Sequence, residues 1–156
     1  YAPTTVTVDE TFMWYQAHPR LQVGLAHLWK QNAVRYLASL RIAEETARTP
    51  GINVSAGVQG IGTGNPGYGV TAEKNWTLPS GSVNAYGGVG FRSNESHAHM
   101  LGGFKFTPSG SPMTVGLQLD GHAKHPFVTY SLPKGWVVGA YLLDLKSPAI
   151  MVGVRF

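Results

Sequence analysis

Apolar and polar side chains alternate almost without a break from residue 113 to residue 132, MTVGLQLDGHAKHPFVTYSL. A period of two residues is the period of a β-strand, and it places the two sets on opposite faces of a sheet. The apolar set begins with Met113, Val115, Leu117 and Leu119, and the polar set with Thr114, Gly116, Gln118 and Asp120. What the chain can fold into therefore depends on which of these two faces points to the inside of the protein.

The alternating segments recur between evenly spaced prolines. Pro19, Pro50, Pro79, Pro108 and Pro133 follow one another at intervals of 25 to 31 residues, and each interval has room for one β-hairpin. The sequence therefore predicts an all-β fold, a ten-stranded antiparallel up-and-down barrel made of five hairpins in residues 19–156. The predicted strands begin near Leu21, Ala33, Asn53, Gly69, Ser82, His97, Met113, His125, Trp136 and Ala149.

Charged residues are too few for an ordinary soluble surface. They make up 13% of the 156 residues, about half the share of roughly 25% that is usual in soluble globular domains. No run reaches the length of about 18 apolar residues that a membrane-spanning helix needs, whereas tilted strands of about ten alternating residues are typical of transmembrane barrels. We therefore predict a transmembrane β-barrel with a polar lumen. The alternative is a soluble barrel or sandwich with its two faces reversed.

The predicted lipid-facing side of the barrel is assigned strand by strand. In the strand that begins at Trp136 it comprises Val137, Tyr141 and Leu143. Lys74 departs from the apolar pattern of this side, and such a residue is tolerated only near a rim, where a long side chain can reach water.

The chain ends in VGVRF, an alternating segment that closes on Phe156. This ending resembles the assembly signal of small bacterial outer-membrane β-barrel proteins as a class, and residues 19–156 resemble them in architecture. The resemblance implies a porin-like protein in the outer membrane of a Gram-negative bacterium, with the lipid bilayer and, through the Phe156 strand, the barrel-assembly machinery as partners. Because the sequence begins at Tyr1, we expect a mature chain whose signal peptide has been removed. No basic cluster or aromatic motif indicates nucleic acid as a partner.

Four of the six histidines are predicted to meet at one rim of the barrel. His97 and His99 stand two residues apart, so both point to one face of a strand. His122 and His125 flank the turn of the next hairpin, whose first strand is a neighbour of the strand that carries His99. Imidazole suits divalent transition metals such as Zn or Cu and titrates near physiological pH, so the cluster predicts a metal-binding outer mouth or a proton-sensitive gate, and the sequence indicates no further cofactor. The alternative is a set of polar loop residues in water.

The predicted lumen carries charges of both signs and is mildly cationic. Its lining residues are Arg35, Arg41, Glu73, Arg92, Lys105, Asp120, Asp144 and Arg155. If the lumen were open, these charges would favour anions. If they paired across so small a barrel, they would plug it.

Residues 1–18 form a leading segment that is predicted to plug the lumen, to add a partner-binding strand or to remain a tail. The preferred function is a narrow channel or binding barrel for a small solute or metal ion. One alternative is a structural or assembly subunit that anchors a complex through its N-terminal segment. The other is an outer-membrane lipid hydrolase that uses Glu95, His97 or His99, and Ser96 or Ser131, although no spacing among them resembles a nucleophile motif.

Overall fold

The computed structural model describes residues 10–58 and 65–154. These residues form one antiparallel sheet of eleven strands, in which every strand pairs with the next one along the chain. The strands are β1 Glu10–His18, β2 Leu21–Leu28, β3 Ala33–Ala43, β4 Gly51–Val58, β5 Pro66–Leu78, β6 Gly81–Arg92, β7 Ala98–Pro108, β8 Met113–Leu119, β9 Lys124–Ser131, β10 Trp136–Leu143 and β11 Ser147–Val154. The predicted all-β, antiparallel, up-and-down fold is confirmed. Nowhere in the described residues does the chain form a helix with the length and apolar character that crossing a membrane requires.

The turns fall into two groups, which define the two ends of the sheet. The proline end carries the turns after β1, β3, β5, β7 and β9, each of which contains a proline. The histidine end carries the turns after β2, β6, β8 and β10 and the end of β4, and it includes residues 93–97 and 120–123, where His97 and His122 lie.

The predicted number of ten strands is wrong, because part of the leading segment forms an additional strand. β1 pairs with β2 along its whole length. Phe12 and Trp14 on one face of β1 alternate with Met13 and Tyr15 on the other, so this segment lacks the alternation of polar and apolar residues that identifies the other strands. Its pairing rests instead on the tight turn at Pro19 and on aromatic side chains that favour extended backbone.

The sheet is open within the described residues, with β1 and β11 as its two edges. Because consecutive strands are antiparallel, β1 and β11 run in the same direction, whereas β2 and β11 run in opposite directions. Direct closure between the two edges would therefore need a parallel pairing. Arg155 and Phe156, on which one lumen residue and the assembly signal were predicted, lie outside the described residues.

The two faces of the sheet differ sharply in polarity, and the apolar face is the exposed one. Tyr36 is 84% exposed, Met100 75% and Ile150 62%. In the described chain the buried hydrophobic residues are Ala26, Leu28 and Leu37 alone. Within the described residues the sheet thus has no apolar core of the kind that holds a soluble sandwich together, and most of its large apolar side chains point outward.

The face predicted for β10 is wrong. Tyr141 lies on the inner face, where it stacks on Phe127 of β9 with ring centroids 5.2 Å apart. Val137 and Leu143 share that face, whereas Trp136 and Leu142 are exposed on the outer one. Because both faces of β10 are apolar, the residue pattern does not distinguish them, and the register with β9 decides the orientation.

The inner face is concave and polar. It bounds a cavity of about 710 Å³ near the proline end, whose lining comes from all seven strands from β1 to β7. Glycines on the inner face keep this space open: a Cβ on Gly103 would lie 2.8 Å from the Tyr86 ring. The fold therefore presents an aqueous cavity towards one end and the histidine cluster at the other.

Candidate metal site

Glu95 is the centre of the histidine end. It stands in the turn of residues 93–97 between β6 and β7, and its side chain is 19% exposed. Its carboxylate pairs with Nε2 of His99, and Nε2 of His122 lies 3.2 Å from its Oε1. Nη1 of Arg92 lies 3.6 Å from the same oxygen. One carboxylate thus brings together imidazoles from two different turns of the sheet.

Among the three imidazoles around Glu95, the ring of His99 contacts both of the others. The ring centroids of His97 and His99 are 4.6 Å apart, and those of His99 and His122 are 4.2 Å apart. The donor atoms of Glu95, His97 and His99 all lie within 4.8 Å of one another. In a tetrahedral site with bonds of about 2.1 Å, donor atoms stand about 3.4 Å apart. Glu95, His97 and His99 thus offer two nitrogens and one oxygen near a common point, and His122 reaches the same carboxylate from the neighbouring turn.

The backbone of the β8–β9 turn places His122 against this cluster. Gly121 has a φ of +95°, and a Cβ at this position would collide with the side chain of His99. Asp120 Oδ1 accepts the backbone N–H groups of His122 at 3.0 Å and of Ala123 at 2.8 Å. Although burial alone would raise it, these two hydrogen bonds hold the pKa of Asp120 below its ordinary value. The turn is thus fixed by an ionised carboxylate beneath it.

His125 belongs to a second, deeper layer. Its side chain is 4% exposed, and its Nε2 lies 3.4 Å from Oδ2 of Asp120. Its Nδ1 accepts the backbone N–H of Asp144 at 3.2 Å, which leaves the ring proton on Nε2, facing Asp120. Arg92, with a side chain 5% exposed, donates to the backbone oxygen of Asp120 at 3.1 Å. Within the described residues the His125 ring contacts Asp120 and the backbone of Asp144 and not Glu95, so it lies apart from the other three imidazoles.

The structure therefore brings together three of the four histidines predicted as metal ligands and adds Glu95. The sequence contains a signal that could have identified Glu95 as a ligand, because Glu95, His97 and His99 follow one another at a spacing of two residues. The residues named for a hydrolase are divided. Glu95 and Ser96 lie at the histidine end, whereas Ser131 ends β9 at the proline end.

The predicted lumen residues that the structure describes do not share one environment. Arg41, Glu73 and Lys105 line the cavity near the proline end, and Arg41 pairs with Glu73. Arg92 and Asp120 are buried at the histidine end, as described above.

Two further residues of that set lie away from the cavity. Arg35, on the inner face of β3, donates from Nη1 to the backbone oxygen of Val34 at 3.2 Å. Asp144 lies in the exposed turn between β10 and β11, where it pairs with Lys146 at 2.7 Å. This ion pair lowers the pKa of Asp144 and raises that of Lys146.

No protein family, characterised protein or solved structure matches this chain. What the fold and the site define is a class: an antiparallel all-β sheet, consistent with a β-barrel, that carries a His/Glu group suited to a metal ion. A fold of this kind hosts many functions, so the function has to be argued from the groups at its two ends.

Proposed function

We propose that this protein is an outer-membrane β-barrel that binds a divalent transition metal ion at its histidine end. The observation that carries the metal assignment is the contact of Glu95 with both His99 and His122, with His97 in reach of the same point. Three imidazoles and one carboxylate form a donor set suited to Zn or Cu.

The location in a membrane is supported by the exposed apolar face. Leaving apolar surface in water costs about 25 cal/mol per Å², a cost that disappears when the solvent is lipid. Aromatic residues of this face lie near both ends, as in the interfacial belts of membrane proteins. Tyr68 stacks on Phe91 near the histidine end at 5.4 Å, and Trp76 and Trp136 stand near the proline end.

A binding barrel fits the inner face better than an open channel. Arg92, Asp120 and His125 have side chains no more than 6% exposed, and they occupy the inner face at the histidine end. Buried charges that pair in this way block a narrow lumen. In a closed barrel this layer would obstruct a solute that enters the cavity from the proline end.

Metal binding is tested on the refolded chain in detergent by competition with a fluorescent zinc chelator. We expect His99→Ala and His122→Ala each to weaken zinc binding by about tenfold or more, since loss of one ligand is worth at least about 1.4 kcal/mol. His18→Ala is the matched control, because His18 is exposed at the proline end. Equal affinity in His99→Ala and the unaltered chain would contradict the proposal, as would an equal loss in His18→Ala.

A second candidate, an assembly subunit that binds a partner through its N-terminal segment, is favoured by the odd number of strands. Bacterial single-chain barrels have an even number of antiparallel strands. β2 to β11 can close antiparallel only if β1 leaves the wall, and β1 is then free to pair with another chain. A disulfide between β1 and β2 would abolish binding to such a partner, and a reductant would restore it. Partner binding that is unchanged by this disulfide would exclude this role for β1.

A further inference from the structure

The cavity near the proline end is built from polar groups. Among its charged lining residues, Arg20 pairs with Glu44 at 2.9 Å and Arg41 pairs with Glu73. Arg41 also donates from Nε to Oδ1 of Asn53 at 3.2 Å. These four charges cancel, so they give the cavity no net preference for either sign.

Lys105 is the remaining charge on the cavity wall. Within the described residues its ammonium has neither an ion pair nor a hydrogen bond. It stands on β7 opposite Asn84 of β6 and Gly116 of β8. On the β8 side the ring of Phe127 covers Gly116, so Lys105 borders the cavity on the β6 side, where Asn84 and Tyr86 also line it. An unpaired ammonium on the wall of a cavity attracts one negative charge of a ligand.

Hydroxyl groups surround the same space. Ser39, Ser55, Thr71 and Tyr86 all line the cavity, and within the described residues none of their hydroxyls has a hydrogen-bond partner. Each hydroxyl can both donate and accept, which suits a ligand that itself carries several hydroxyl groups. A volume of about 710 Å³ falls in the range of about 300 to 1,000 Å³ that is typical of small-molecule sites.

We propose that this cavity binds a small sugar acid, with the ligand carboxylate at Lys105 and its hydroxyls on the serine, threonine and tyrosine side chains. A single cation selects a single negative charge, and the free hydroxyls select a polyhydroxylated body over a simple fatty or aromatic acid. The site is separate from the histidine end, so the binding of such a ligand is independent of metal binding.

The test is calorimetric titration of the full chain in detergent with galacturonate, in the presence of a chelator that keeps metal ions from the histidine end. We expect galacturonate to bind and Lys105→Met to weaken it by about tenfold or more, because the charged contact is lost. Lys105→Arg keeps the charge and should retain most of the affinity. Lys124→Met is the matched control, since Lys124 lies on the outer face opposite Leu119 at the histidine end.

Two further ligands separate the alternatives. Neutral galactose should bind more weakly than galacturonate by a similar factor, and inorganic phosphate should not match galacturonate. The proposal is overturned by the absence of galacturonate binding, by equal binding of galactose, or by phosphate binding as tight as that of galacturonate. His99→Ala should leave the galacturonate titration unchanged, so failure of this inference and failure of the metal proposal are distinguishable.

Discussion

At the scale of single residues, the period of two predicts that His97 and His99 point to one side; in the structure their rings lie 4.6 Å apart, and the neighbouring turn brings His122 to His99. The separation of His125 was not predictable, because it depends on the backbone N–H of Asp144 and on the buried Asp120. Such contacts arise from the packing of several turns, whereas strand alternation reports only the face on which a side chain lies.

Glu95 is the residue on which the metal proposal depends most. Glu95→Gln keeps the size of the side chain but removes the charge that pairs with His99 and His122. We expect zinc affinity to fall by about tenfold or more, measured by chelator competition at a fixed pH. Glu44→Gln removes a carboxylate at the proline end and should have no effect on zinc binding. Unchanged affinity in Glu95→Gln would show that the carboxylate is not a ligand.

Lys74, the departure from the apolar outer face, is neutralised by the loop between β3 and β4. Its Nζ donates to the backbone oxygen of Thr46 and lies 3.4 Å from Glu45. Glu45 in turn accepts the backbone N–H of Asn75 at 2.9 Å and its side-chain N–H at 2.6 Å. The loop therefore covers the charge, which explains how a lysine stands on this face near the proline end.

This loop should respond to pH through Glu45. The hydrogen bonds from Asn75, the backbone one first, lower the pKa of Glu45 below 4.5. A lowered folded-state pKa means that the contact is fully present above the ordinary carboxyl pKa and is lost as pH falls through the folded one. Hydrogen exchange at the Asn75 amide should accelerate on acidification across this window, relative to its intrinsic rate. In Glu45→Gln the acid-dependent step should be absent, and its persistence would assign the step to another group.

At the scale of strands and turns, the sequence predicted ten of the eleven strands. It missed one strand and assigned the faces of another wrongly, and in each case the strand is apolar on both faces. β1 and β10 both have this character, so the alternation that identifies the other strands is missing from them. Register with a neighbouring strand determines their orientation, and that information lies outside the segment itself.

The β8–β9 turn offers a test of how the backbone positions the site. Gly121→Ala forces a side chain onto a φ of +95° and against His99, so we expect a loss of about 1–3 kcal/mol in stability and weaker zinc binding. Urea unfolding in detergent and chelator competition measure the two effects. Gly87→Ala is the control, because a Cβ there meets nothing within 4 Å. Equal stability in both variants would contradict the role assigned to Gly121.

At the scale of the whole molecule, composition and alternation predicted which face is exposed, but they did not predict how the sheet closes. Closure depends on the number of strands, and a single additional strand changes the two edges from antiparallel to parallel. We expect β2 and β11 to pair in the membrane, with β1 displaced from the wall.

A disulfide lock tests this closure in a chain that has no native cysteine. Met13→Cys with Leu25→Cys joins directly opposed positions of β1 and β2. The oxidised pair should lose the faster migration of the unboiled protein on a denaturing gel, and a reductant should restore it. Val70→Cys with Val89→Cys locks β5 to β6 and should leave the migration unchanged. Fast migration of the oxidised Met13–Leu25 pair would show that the barrel closes with β1 in place.

The most direct test of a lipid-facing apolar surface is tryptophan quenching by brominated lipid. The side chains of Trp29, Trp76 and Trp136 are all exposed. In vesicles with brominated acyl chains we expect their emission to be blue-shifted and strongly quenched, while acrylamide added to the water quenches little. Emission that is insensitive to brominated lipid but fully quenched by acrylamide would contradict the membrane barrel, and with it the orientation of the whole sheet.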